Sequence, residues 1–163
     1  MSRFFFRYCW WIAFAAAPIL VAGGLASGLP DRGALIGGGL AIIFGFCYFA
    51  QQQRLAEITL FKQLFTEFNE RYDKLNDDLA KIESPQVPLT LDSRQKVVDY
   101  FNLCAEEYLF YSEGYIHHEV WKTWCLGMLY YIEKEPFAKI WAEESDKKCY
   151  YGLTKDKINK GAG

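Results

Sequence analysis

Residues 33–84 read GALIGGGLAIIFGFCYFAQQQRLAEITLFKQLFTEFNERYDKLNDDLAKIES, and this stretch decides the fold. From Gly33 to Gln53 it carries no charge, and its apolar part ends near Ala50. Beyond that, Ile58, Phe61, Phe65, Phe68, Tyr72, Leu75, Leu79 and Ile82 recur at alternating spacings of three and four, a heptad seam. Glu67, Glu70, Arg71, Asp73, Lys74, Asp77, Asp78 and Lys81 fill the positions between them as a solvated face. No Gly or Pro interrupts the run between Gly45 and Pro85. The pattern predicts one helix of about forty residues, roughly 60 Å long, that leaves an apolar segment and continues as an amphipathic one. Phe61, Phe65, Phe68 and Tyr72 are bulky for a two-stranded coiled coil and suit packing against later helices, whereas Leu75, Leu79 and Ile82 suit either partner.

Upstream, residues 8–29 are also uncharged and include WWIAFAAAPILVAGGLASGL. About 20 apolar residues cross a bilayer core, so spans are expected at about 8–29 and 33–53. Only Pro30, Asp31 and Arg32 separate them. Backbone groups in lipid must be paired internally, which makes a helical hairpin the expected form. Pro30 cannot continue a helix, and Gly28 and Gly33 suit helix ends. Arg3 and Arg7 precede the first span and Arg54 and Lys62 follow the second, which places both termini in the cytoplasm. Tyr8, Trp10, Trp11, Tyr48 and Phe49 would form an aromatic belt on that side. A cleaved signal peptide ending in GGLASG is the rival reading, weakened by the long uncharged run and the second span behind it.

Gly33, Gly37, Ala41 and Gly45 recur every four residues as a small-residue ridge, and Gly24 and Gly28 make a shorter one. Such ridges let helix backbones approach closely, either within the hairpin or between several hairpins. No ionisable residue lies inside either span, which argues against a proton relay, a voltage sensor or a coupled transporter.

The whole-chain averages hide this division. Mean hydropathy is −0.07 and the net charge −2. Residues 1–53 carry only Arg3, Arg7, Asp31 and Arg32, so residues 54–163 hold 15 of the 18 Lys/Arg and 19 of the 20 Asp/Glu, a net charge of −4. This composition excludes a disordered chain, a disulfide miniprotein and a basic nucleic-acid binder. The expected fold class is all-α: a transmembrane hairpin over residues 1–53, then a cytosolic helical domain over 54–163.

In that domain the long heptad helix spans 54–84, and SPQVP breaks it at 84–88. Asp92 and Gln95 resemble a capping box for a helix over about 93–112, with Val97, Phe101, Cys104, Ala105 and Tyr108 on one face and Gly114 as its stop. Further helices are expected at about 116–134 and 136–148, and the polar KDKINKGAG end should fray. Five cysteines without a C-x-x-C pair read as buried thiols, with Cys9 as a candidate palmitoylation site. His117, His118 and Glu119 are consecutive rather than four apart, so they read as a turn and not as metal ligands. Glu106, Glu107 and Glu113 are expected on a solvated face. No phosphate loop, G-x-S-x-G or H-E-x-x-H motif occurs, and the expectation is a non-enzymatic protein without cofactor or metal. Tyr108, Tyr111, Tyr115, Tyr130, Tyr131, Tyr150 and Tyr151 outnumber what a small core holds. Tyr108, Tyr111, Tyr115, Trp121 and Trp124 are therefore candidate partner-binding residues.

The hairpin, the FNERYDKLNDDL helix, and the run DYFNLCAEEYLFYSEGYI followed by VWKTW together resemble a class of small bacterial two-span membrane proteins. The run carries Phe101-Asn102, Glu106-Glu107, Tyr111, Gly114-Tyr115-Ile116, Trp121 and Trp124. Some proteins of this class are effectors of anti-phage systems, including retrons. The resemblance implies an inner-membrane toxin held inactive by a reverse transcriptase with its DNA–RNA product, and it places no catalytic residue on this chain. The expected partners are the lipid bilayer, a cytosolic protein or defence complex, and other copies of the chain. An adaptor that recruits a protein through its aromatic surface is the alternative.

Overall fold

A computed structural model describes residues 2–26, 28, 30–84, 88–146 and 149–163, with side chains from Trp11 onward. The chain forms α1 (Ser2–Ala26), α2 (Arg32–Ile82), α3 (Leu91–Ser112), α4 (His118–Ile132), α5 (Phe137–Ser145) and α6 (Lys155–Ala162), with no strand among the described residues. These form two compact units that divide between Thr59 and Leu60, inside α2. The side chains of Arg3, Arg7, Tyr8, Cys9 and Trp10, together with Leu29 and the break at Pro85–Val87, lie outside the described residues.

In the first unit α1 and the start of α2 run antiparallel. Ala13 shares a buried cluster with Cys47 and Ala50. A Cβ on Gly39 would lie 2.5 Å from the Leu20 side chain, and one on Gly24 would lie 2.5 Å from that of Ile36. As the α1 partner rises from 13 to 20 to 24, its α2 partner falls from 47 to 39 to 36, the signature of an antiparallel pair. The connection uses Gly28 in the left-handed region at φ 67°, which suits a residue without Cβ. Arg32 Nη1 donates to the Leu25 carbonyl at 3.2 Å, which occupies one of the carbonyls left over at the α1 C-terminus. Pro18 sits inside α1 and takes one N–H out of its ladder.

The second unit is a bundle around one apolar core. Phe68, Leu79 and Ile82 of α2 are buried with Val97, Tyr100, Phe101 and Cys104 of α3, Cys125, Met128 and Ile132 of α4, Phe137 and Ile140 of α5, and Ile158 of α6. The heptad aromatics pack inside the chain. Phe65 stacks on Trp124 at 6.1 Å, Phe68 meets Phe110 at 5.7 Å, and Tyr72 meets Tyr100 at 6.1 Å between ring centres. Phe65 is nevertheless 40% exposed, while Leu64, off the seam, is only 7% exposed. A straight helix drifts about 20° per heptad against a seven-residue repeat, so the buried stripe leaves a strict seam towards its start.

Local chemistry sets the bundle's corners. The Thr90 hydroxyl accepts from Ser93 N–H at 3.1 Å, so Thr90 caps α3 and Asp92 falls in its first turn rather than at the cap. The earlier start follows because an N-cap oxygen accepts from the second or third helical N–H, and Thr90 reaches the third here. α3 ends in a Schellman motif: Tyr115 N–H donates to Phe110 O at 3.0 Å, and Gly114 N–H donates to Tyr111 O at 2.9 Å. Gly114 adopts φ 83°, and the Phe110 and Tyr115 rings make the accompanying apolar contact at 6.1 Å. The C-terminal segment is not frayed: α6 is capped by Thr154 and buries Ile158 and Gly161. Its polar composition concealed a helix that needs only one narrow apolar face.

Two outcomes test this arrangement. A Thr90→Ala variant should lose about 1 kcal/mol of bundle stability, read from denaturant midpoints. Gly39→Leu should lower bis-maleimide cross-linking between an introduced Ala13→Cys and native Cys47, whereas Gly37→Leu, with open space at its Cβ position, should leave it unchanged.

Candidate functional site

The first unit turns large apolar side chains outward. Trp11, Phe14 and Ile19 of α1 and Ile42, Phe44, Phe46 and Phe49 of α2 are exposed, far beyond the scattered apolar residues of an ordinary surface. By length and hydropathy α2 is sufficient to cross a bilayer, and the described apolar part of α1, Trp11–Ala26, is shorter. Gly33, Gly37 and Gly45 have nothing within 4 Å of a Cβ position, and Ala41 is exposed beside them. Gly28 is likewise open. Close approach inside the hairpin therefore uses Gly24 and Gly39, and Gly39 belongs to neither of the ridges read from the sequence.

In the second unit the candidate aromatics separate into three groups. Tyr111 stacks on Trp121 at 4.8 Å, and Tyr108 lies against the same indole at 5.7 Å. Trp121 is 1% exposed, so it offers no surface to a partner in this state. Its cover is α6, the segment expected to fray: a Cβ on Gly161 would sit 2.5 Å from Trp121 Nε1 and 2.6 Å from Cys125 Sγ. Trp124 is half-buried against Phe65 and Phe68. Tyr115 is 47% exposed, with Tyr130, Tyr151 and Leu126 also exposed elsewhere on the bundle.

The two histidines sit where α3 turns into α4. His117 occupies the N-cap position of α4, with its ring 4.5 Å from that of Phe61. The Tyr111 hydroxyl and His118 Nδ1 are hydrogen-bonded at 3.1 Å. Among the described residues no group of three or more His, Cys, Asp or Glu is arranged to hold a metal ion.

Glu107 corrects the sequence reading most sharply. It is 7% exposed, in the bundle interior rather than on a solvated face. Burial pushes its carboxyl up to about 8; the nearby Arg71 guanidinium offsets this only in part, and Glu106 adds to the rise. Arg71 is held by Glu106 instead, through a two-point ion pair whose Nη2–Oε1 bond measures 3.0 Å. The spacing of Tyr100, Cys104, Glu107 and Tyr111 contained the signal, because it places all four on one side of α3. Burial also raises the neighbouring thiols, Cys104 well above its ordinary value and Cys125 to about 12, with the Glu107 charge as the second cause. Protonated thiols are poor nucleophiles. What this arrangement can do is hold a proton.

The consequence is a stability that depends on pH. A carboxyl whose value is raised on folding stabilises the fold fully below its unfolded value near 4.5, and that contribution is lost as pH rises through about 8. The full span is on the order of a few kcal/mol, at about 1.4 kcal/mol per pKa unit. Unfolding midpoints of the full chain in detergent should fall between pH 5 and 8.5, and Glu107→Gln should flatten that slope. No protein-family model, no curated protein and no solved structure matches this chain.

Proposed function

We propose that the chain is a non-enzymatic effector of the bacterial inner membrane, of the kind found in retron-like anti-phage systems. In this reading both termini are cytoplasmic, and a cytosolic partner complex holds the protein inactive. The hairpins associate through the open Gly33–Gly37–Ala41–Gly45 face of α2 and perturb the bilayer once the partner releases the bundle. The observation that carries the reading is the first unit's surface: large apolar side chains outside, with a small-residue face where no described side chain comes within 4 Å of a Cβ at Gly33, Gly37 or Gly45. Water disfavours such a surface, and lipid accepts it. In lipid, close backbone approach is what drives helices together.

The second reading is an adaptor that recruits a protein through exposed aromatics, favoured by Tyr115, Tyr130 and Tyr151 at the bundle surface. One experiment separates the two. Induced alone in a bacterium, the wild-type chain should collapse the membrane potential reported by a voltage-sensitive dye, and Gly37→Leu should relieve the collapse at equal membrane abundance. A potential untouched by the wild-type chain overturns the effector reading. The adaptor reading predicts instead that replacing residues 1–53 by an unrelated two-span hairpin preserves function.

A further inference from the structure

Arg71 of α2 faces two successive carboxyls of α3. Glu106 holds it through two hydrogen bonds, of which Nη2–Oε1 measures 3.0 Å, and both side chains are half-buried at the rim of the bundle. Glu107 lies further in, and no hydrogen bond to its carboxyl forms among the described residues. The guanidinium is still close enough for its charge to act on both carboxyls. One cation therefore serves two acids and pairs with the outer one.

The backbones around this cluster are fixed. Phe68 meets Phe110 at 5.7 Å and Tyr72 meets Tyr100 at 6.1 Å, contacts that bracket Arg71 on α2 and Glu106–Glu107 on α3. What can move is the long arginine stem, whose planar fork matches either carboxylate. The other groups nearby offer no rival cation. Tyr100 and Cys104 of α3 and Cys125 of α4 are held protonated by burial. Glu67, one turn before Arg71 on α2, is a further carboxylate acting on the guanidinium. Lys157 of α6 lies over the Tyr108 ring. α5 brings Glu143 and Glu144 to Arg94 of α3, about 20 Å back along the helix from Glu107.

We propose that Arg71 is the moving part of a proton-controlled switch between α2 and α3. Glu106 holds it while Glu107 carries a proton, and it turns inward to Glu107 when that proton leaves. An arginine stays charged at every accessible pH, so it follows the negative charge. An ionised carboxylate buried without a partner is strongly disfavoured, which drives the exchange. Glu106 is then released to water, so the rim of α3 gains a free carboxylate. The ligand that sets the switch is the proton, and burial places Glu107 at about 8, so the exchange falls near neutral to mildly alkaline pH. The switch does not rest on the membrane reading.

Nuclear magnetic resonance of the full chain in detergent tests it. Glutamate is labelled with 13C at the carboxyl and arginine with 15N at Nε, and the lines are assigned by Glu106→Gln, Glu107→Gln and Arg71→Lys. From pH 6 to 9.5 the wild-type Glu107 line should titrate near pH 8. The Arg71 and Glu106 lines should shift with the same midpoint, Glu106 towards the position of an unpaired carboxylate. In the isosteric Glu107→Gln variant, Arg71 and Glu106 should hold their pH 6 positions throughout. A Glu107 line already ionised at pH 6 overturns the switch. So do Arg71 and Glu106 lines that stay still while Glu107 titrates, and so does an Arg71 shift that persists in Glu107→Gln.

Discussion

The whole chain depends on α2 pairing its own backbone groups from Arg32 to Ile82. A helix is one of two backbone forms that need no outside hydrogen-bond partner in an apolar medium, and the same form serves equally in water. One element can therefore supply an all-round apolar surface in its first part and a single buried stripe in its second. The change falls in the stretch from Gln51 to Leu60, where every residue is exposed. Before it, small residues govern how closely the α1 backbone can approach. After it, aromatic rings govern how α3 and α4 pack, through Phe65, Phe68 and Tyr72.

Features with a period were legible in the sequence, and features set by one close contact were not. The helical second unit, the unbroken α2 and the Gly114 stop all follow from spacing or from φ preference. Leu64 took the burial expected of Phe65 because a real helix does not keep a strict seven-residue repeat. Gly39 was hidden inside the run Gly37-Gly38-Gly39, where only geometry tells which glycine faces Leu20. α6 was hidden because hydropathy averages over eight residues while its docking rests on two. Trp121 was read as a surface residue for the same reason, since its cover went unrecognised.

Glu107 illustrates a different limit. Its residue type outweighed its position in the sequence reading, although Tyr100, Cys104 and Tyr111 mark the same side of α3. Natural bundles rarely bury a carboxyl without its own ion pair, because the charged form is strongly disfavoured there. Burial favours the protonated form of Glu107 in this bundle, and the adjacent Arg71 is engaged by Glu106. The cost is a core whose stability declines towards alkaline pH.

The three glycines at 37–39 carry the last step. Each glycine in a helix interior costs about 1 kcal/mol relative to alanine in water, and of the three only Gly39 is approached closely, while nothing lies within 4 Å of a Cβ at Gly37 or Gly38. Gly39 has its compensation in Leu20 of α1. Successive helical residues turn by about 100°, so Gly37 points nearly opposite to Gly39 and shares its face with Gly33, Ala41 and Gly45. No described side chain comes within 4 Å of a Cβ at Gly37. A second hairpin laid against that face would meet a backbone surface without protruding side chains, which is the physical basis on which we propose self-association.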